Sequence, residues 1–183
     1  SLHNLEYLGI KNKCQIISIE PIDFHSVIAG IKQAEPDEVY HLAAQSSVGL
    51  SFSQPASSIE HIASGALNVL EAVRLYNTDT KVYYASSSEC FGYSKKPINE
   101  SNPLNPLSPY GIGKSTASHA IRFYRETYGL FCVNGYLFNH ESPLRSERFV
   151  TQKIIKTAYD IAIGREDNLI LGDLTIKRDW GWA

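Results

Sequence analysis

Methionine is absent from all 183 residues, position 1 included, and the last stretch, KRDWGWA, stops without a helix-ending signal. Both features predict a fragment of a longer chain. No apolar run approaches the roughly 18 residues that a membrane span needs. The opening SLHNLEYLGIKNK also lacks the charged-then-apolar pattern of a signal peptide, so a soluble, cytoplasmic protein with no membrane partner is expected. Cys14, Cys90 and Cys132 are odd in number and form no C-x-x-C pair, which argues against a disulfide framework and against a zinc site. The 17 basic and 19 acidic residues are mixed along the chain and leave a net charge of -2, so no basic stripe offers itself to nucleic acid. A glycine-rich G-x-x-G-x-x-G turn, the usual cradle for a dinucleotide pyrophosphate, is missing too: the glycines at 9, 30, 49 and 65 are too scattered.

What is present is a regular alternation. The apolar fraction of 43% suffices for a sizeable core. CQIISIE (14–20) reads as a strand and PIDFHSVIAGIKQAEP as the helix after it. DEVYHLAAQ carries a second strand over 39–44, and 58–76 repeats Ile59, Ile62, Ala66, Val69, Leu70 and Val73 on one helical face. TKVYYASSS gives a third strand. A helix opens near Pro109 and ends at a capping Gly129, and LFCVNGYLFN gives a fourth strand. The pattern predicts a parallel sheet with helices on both faces and ligand groups at the carboxyl ends of its strands.

At one such end lie Ser86, Ser87, Ser88 and Glu89, followed by a loop with four of the eight prolines and then by SPYGIGK. Tyr110 and Lys114 stand at i and i+4, so both can face one cleft. A phenol has an unperturbed pKa of about 10 and needs help to act as a base; a nearby ammonium favours the phenolate, and a strand-end hydroxyl can bond the same substrate oxygen. Taken singly, the pair is a spacing many helices show, and the serines are an ordinary polar loop. His41, inside an apolar strand, reads as a packed core residue with no catalytic role.

The joint pattern of strand, serines with glutamate, proline-rich loop and S-P-Y-x-x-x-K resembles the extended short-chain dehydrogenase/reductase family. Within it, SSSECFG, SPYGIGKS, VNGYLFNHESPLR, FVTQKI and KRDWGWA resemble the GDP-mannose 4,6-dehydratase family. The resemblance implies an α/β, Rossmann-type doubly wound parallel sheet lacking its first βα unit: a partial NADP-binding domain over 1–140 and part of a smaller substrate-binding region over 141–183. It implies a catalytic set of Ser87, Glu89, Tyr110 and Lys114, with serine at 87 where the family usually has threonine. Glu89 would act as the base at the carbon beside a 4-ketone.

The resemblance also implies cofactor contacts at Leu42, Ala43, Ala44, Gln45, Ser46, Tyr110, Lys114, His140 and Arg145, with Glu20 near the adenine. Substrate contacts would come from Ser87, Ser88, Glu89, Asn139, Val150, Lys153 and Arg178, where Lys and Arg suit a diphosphate; on their own Lys153 and Arg178 read equally as solvated surface charges. NADP is implied over NAD, with GDP-mannose or a related GDP-sugar as substrate and a homo-oligomer, dimer or tetramer, as the assembly. The alternatives are a GDP-manno-heptose dehydratase, a nucleotide-sugar epimerase or reductase, and a silent nucleotide-binding module.

Overall fold

The computed structural model describes residues 2–147 and 149–182. In chain order its elements are α1 (His3–Tyr7), α2 (Phe24–Ala34), β1 (Glu38–His41), α3 (Val48–Ser53), α4 (Pro55–Tyr76), β2 (Lys81–Ser87), α5 (Pro109–Tyr128), β3 (Cys132–Leu137), β4 (Asn139–Glu141), α6 (Val150–Ala162) and β5 (Trp180–Trp182). Two compact units result: Ile16–Leu137, and the residues up to Gln15 taken with those from Phe138 onward.

In the first unit β1, β2 and β3 form a parallel sheet in that order, with Tyr40 opposite Tyr83 and Ser87 opposite Leu137. The helices start and stop where the chain supplies caps. Asp23 accepts from the His25 N–H at the start of α2, and Pro55 opens α4. Ser108 accepts from the Gly111 N–H at 3.0 Å, Pro109 follows it into α5, and Gly129 ends that helix at φ 70°. One core joins them: Val27 and Ile31 of α2, Leu70 and Val73 of α4, and Ile121 of α5 pack with Val82 and Tyr84 of β2. Because strand side chains alternate, Tyr83 points the other way, where its ring meets Tyr40 at 5.8 Å and Tyr40 is 63% exposed. The helices α2, α4 and α5 thus share the face that carries the core.

Three sequence expectations differ from the structure: α2, α4 and α5 share one face of the sheet where helices on both faces were predicted, and two segments depart from their predicted form. Residues 15–20 form no strand, although their β-branched run favours one; a strand exists by pairing, and none of the described strands pairs with this segment, where Ile16 and Ile19 stay exposed. The second strand stops at His41 rather than Ala44, because the Leu42 N–H turns back onto the Tyr40 carbonyl at 3.0 Å.

In the other unit, β4 and β5 pair in parallel with Asn139 opposite Trp180. The helix α6 has an amphipathic sequence and no buried residue. Among the described residues no helix is long and apolar enough to cross a membrane.

Candidate functional site

The carboxyl end of β2 runs directly into a single 3-10 turn, Ser88–Phe91, so the last strand residue and the turn share a few ångströms of chain. The Ser87 hydroxyl caps this turn by accepting from the Glu89 N–H at 3.2 Å. Ser86, buried, faces inward instead: its hydroxyl lies 2.7 Å from that of Ser118 and 3.4 Å from the Cys90 thiol. Period-2 alternation therefore separates two neighbouring serines into a packing group and a group at the strand end. Ser88 and Glu89 are half-buried.

The amino-terminal turn of α5 closes against this turn. Ser108 donates to Glu89 Oε2 at 3.4 Å while it caps the helix. Gly111 is what permits the approach: a Cβ there would sit 2.6 Å from the Glu89 carbonyl oxygen. One turn on, Lys114 is buried and donates to the Ala85 carbonyl at 2.7 Å, and its Nζ lies 5.8 Å from the centre of the Tyr110 ring. Burial pushes the Lys114 ammonium down to about 8, a pull that the nearby Cys90 opposes. Strand end and helix start thus bring Ser87, Glu89, Tyr110 and Lys114 into one neighbourhood.

His41 is packed, as its setting in an apolar strand suggested. Its ring stacks on Tyr84 at 5.6 Å, and burial, with Lys114 adding a smaller push, holds it down to about 4, so it is neutral at physiological pH. Beyond β1 the stretch Leu42–Ser46 is largely exposed. Ala43, Ala44 and Gln45 line a cleft of about 390 Å³ together with Pro21, Gln54 and His61. The Gln45 Nε2 is buried there without a partner, while its Oε1 accepts from the Ser47 N–H. Glu20 is exposed and is not among the residues lining that cleft; its backbone N–H donates to Ser26.

The remaining candidates belong to the other unit. Asn139 Nδ2 donates to the Asp179 carbonyl at 3.3 Å, so the β4–β5 pairing brings the KRDWG motif and its exposed Arg178 next to Asn139. His140 Nδ1 contacts the Phe138 carbonyl at 2.9 Å. The Arg145 guanidinium lies 3.6 Å over the Phe149 ring and 3.9 Å from Glu141 Oε2. Val150 opens α6 at 43% exposure, and Lys153 is exposed, its Nζ donating to the Ile170 carbonyl. No group of metal-binding side chains occurs among the described residues.

Sequence reasoning missed Ser108 beside Glu89 and, in the cleft, Pro21, Gln54 and His61. A signal for Ser108 was present, since serine before a proline that opens a helix is a capping signature; Gln54 and His61 carried none, being joined to the cleft only by folding.

The family model described as GDP-mannose 4,6 dehydratase matches residues 1–183. The chain belongs to this family. Among curated relatives it is 47% identical over 165 residues to GDP-mannose 4,6 dehydratase 2 of Arabidopsis thaliana, covering 88% of this chain and 44% of that one. It is 44% identical over 164 residues to a GDP-mannose 4,6-dehydratase of Yersinia enterocolitica, with the same coverage of 88% and 44%. The chain therefore spans less than half the length of these curated relatives. Among solved structures, RMD from Pseudomonas aeruginosa complexed with NADPH superposes with a TM-score of 0.85 at 25% identity, over 98% of this chain and 63% of that one. The fold is accordingly of the Rossmann type.

Proposed function

We propose that the protein carrying this chain is a GDP-mannose 4,6-dehydratase, converting GDP-D-mannose to GDP-4-dehydro-6-deoxy-D-mannose with loss of water. The observation that carries this reading is the closing of the α5 start on the end of β2: the Glu89 carboxylate accepts from Ser108, two residues before Tyr110, the Ser87 hydroxyl caps the turn that holds Glu89, and the Lys114 ammonium lies 5.8 Å from the centre of the Tyr110 ring. The Tyr110 phenolate accepts the proton of the hexose 4-hydroxyl, and the Lys114 charge stabilises that phenolate. The Ser87 hydroxyl bonds the same oxygen. Once carbon 4 is a ketone the carbon 5 proton is acidic; Glu89 removes it, and the same carboxyl protonates the hydroxyl that leaves carbon 6 as water.

A nicotinamide dinucleotide fits the residues present, because the cleft beside Ala43 and Ala44 offers the unpartnered Gln45 Nε2 to a polar ligand. In this reading the cofactor is NADP, which when bound supplies hydride acceptance and return. Leu42–Ser46, Tyr110, Lys114, His140 and Arg145 hold it, and Glu20 serves its adenine end. The Pseudomonas neighbour is complexed with NADPH and a UDP-glucose 4-epimerase neighbour from Brucella ovis with NAD, which supports a nicotinamide dinucleotide; NADP among these is what the family resemblance implies. Residues 1–140 would then serve cofactor and catalysis, and 141–183 the nucleotide sugar, through Asn139 at their border, Val150, Lys153 and Arg178. Ser88 lies beside the hexose. The assembly is a homo-oligomer, which light scattering tests.

The experiment is mass spectrometry of GDP-mannose incubated with the complete gene product and NADP+. The expected product is a nucleotide sugar lighter by one water without net NADPH. Tyr110→Phe lowers turnover by about 10²–10⁴-fold with the melting temperature retained. Glu89→Gln abolishes water loss. A Glu89→Gln variant as active as the parent would favour the epimerase or reductase reading, which leaves that carboxylate without work.

A further inference from the structure

Lys114 is buried at 4% exposure, yet none of the ion pairs among the described residues includes it. A buried ammonium without a carboxylate is costly unless other groups replace the lost water. The Ala85 carbonyl takes one of its three protons. The next group is the ring of Tyr84, 1% exposed, whose centre lies 4.8 Å from Nζ, closer than the 5.8 Å to the ring of Tyr110. An aromatic face within about 6 Å attracts a cation through its quadrupole, more strongly when both are dry.

We propose that Tyr84 is a positioning residue for Lys114: its ring, held by the stacked His41, seats the ammonium next to Tyr110 and keeps it charged. The catalytic part of this statement rests on the proposed dehydratase reading; the seat itself does not. The ring is the relevant part of the side chain, because the Tyr84 hydroxyl is buried with no hydrogen-bond partner. Four titratable groups meet the Lys114 ammonium: Tyr84 from β2, Tyr110 from its own helix, His41 from β1 and Cys90 from the turn after β2. His41 is neutral at physiological pH, so its stack fixes the ring without a competing charge. No local motif ties position 84 to position 114; only the packing of β2 against α5 does.

The test is an NMR titration of the full chain with ε-labelled lysines, Lys114 being assigned by its loss in Lys114→Gln. Tyr84→Phe keeps the ring and is expected to leave the Lys114 midpoint unchanged. Tyr84→Leu removes the ring and is expected to lower the midpoint by about half a pH unit or more. Tyr84→Met, which fills the space with a flexible side chain, serves in its place if the leucine variant does not fold. A midpoint unmoved by loss of the ring, or moved equally by Tyr84→Phe, overturns the proposal. Because this readout needs no substrate, a lowered midpoint in a protein that leaves GDP-mannose unchanged would sink the dehydratase reading and leave the seat standing.

Discussion

The two compact units of this chain are built on opposite terms. Among the described residues, every apolar side chain in the buried core lies between Val27 and Cys132, inside the unit Ile16–Leu137, where three helices close on a parallel sheet. In the other unit α6 runs for 13 residues with an apolar stripe and buries none of it: Ile155 is 63% and Tyr159 61% exposed. The difference reaches the candidate residues of each unit. Ser87, Tyr110 and Lys114 are buried in that scaffold, whereas Val150, Lys153 and Arg178 are exposed. Preorganised groups for proton transfer need such support. Charges proposed to hold a diphosphate need only reach it, since an ammonium on a flexible stem works as a point charge.

This comparison is breakable. The largest effect is expected at Leu70, fully buried in the core: Leu70→Ala should destabilise the chain by about 2–5 kcal/mol in urea unfolding. A cost below about 1 kcal/mol would mean that the core of the first unit is not what holds it together.

Next comes pH. His41 has a folded pKa near 4 and an ordinary value of 6.5, so between these values the unfolded chain binds more protons. The stability that its neutral packing contributes is complete above pH 6.5 and is lost as pH falls toward 4. Unfolding at pH 7 and pH 4.5 should differ by about 2–3 kcal/mol from this group, and His41→Phe, which keeps an aromatic stack on Tyr84, should shrink the difference by that amount. An equal acid loss in the variant would assign it to the carboxylates instead.

The smallest effect is expected on α6, where Ile155→Ala should change stability by less than about 0.5 kcal/mol. A cost as large as that of Leu70→Ala would erase the contrast between the units.

The same contrast explains what could be read before the structure. Tyr110 and Lys114 were legible because a helix opened by Ser108 and Pro109 fixes the i and i+4 positions whatever surrounds it. Ser87 and Glu89 were legible as the end of an apolar strand. Residues 15–20 misled because β propensity is local and pairing is not: the run Ile16-Ile17 favours a strand that no described neighbour completes. Tyr84 looked like one more apolar strand residue, and its approach to Lys114 spans thirty positions that no spacing rule connects. The contact between Asn139 and Asp179 was hidden for the same reason, since it depends on β4 pairing with β5.

The most direct test of the central claim follows one hydrogen. GDP-mannose deuterated at carbon 4 is incubated with the complete gene product and NADP+, and the product is analysed by mass spectrometry and NMR. The account predicts a product lighter by one water that retains the deuterium, now at carbon 6. Deuterium that stays at carbon 4, that is lost to bulk cofactor, or that remains in unreacted substrate with a folded, cofactor-loaded protein would contradict it.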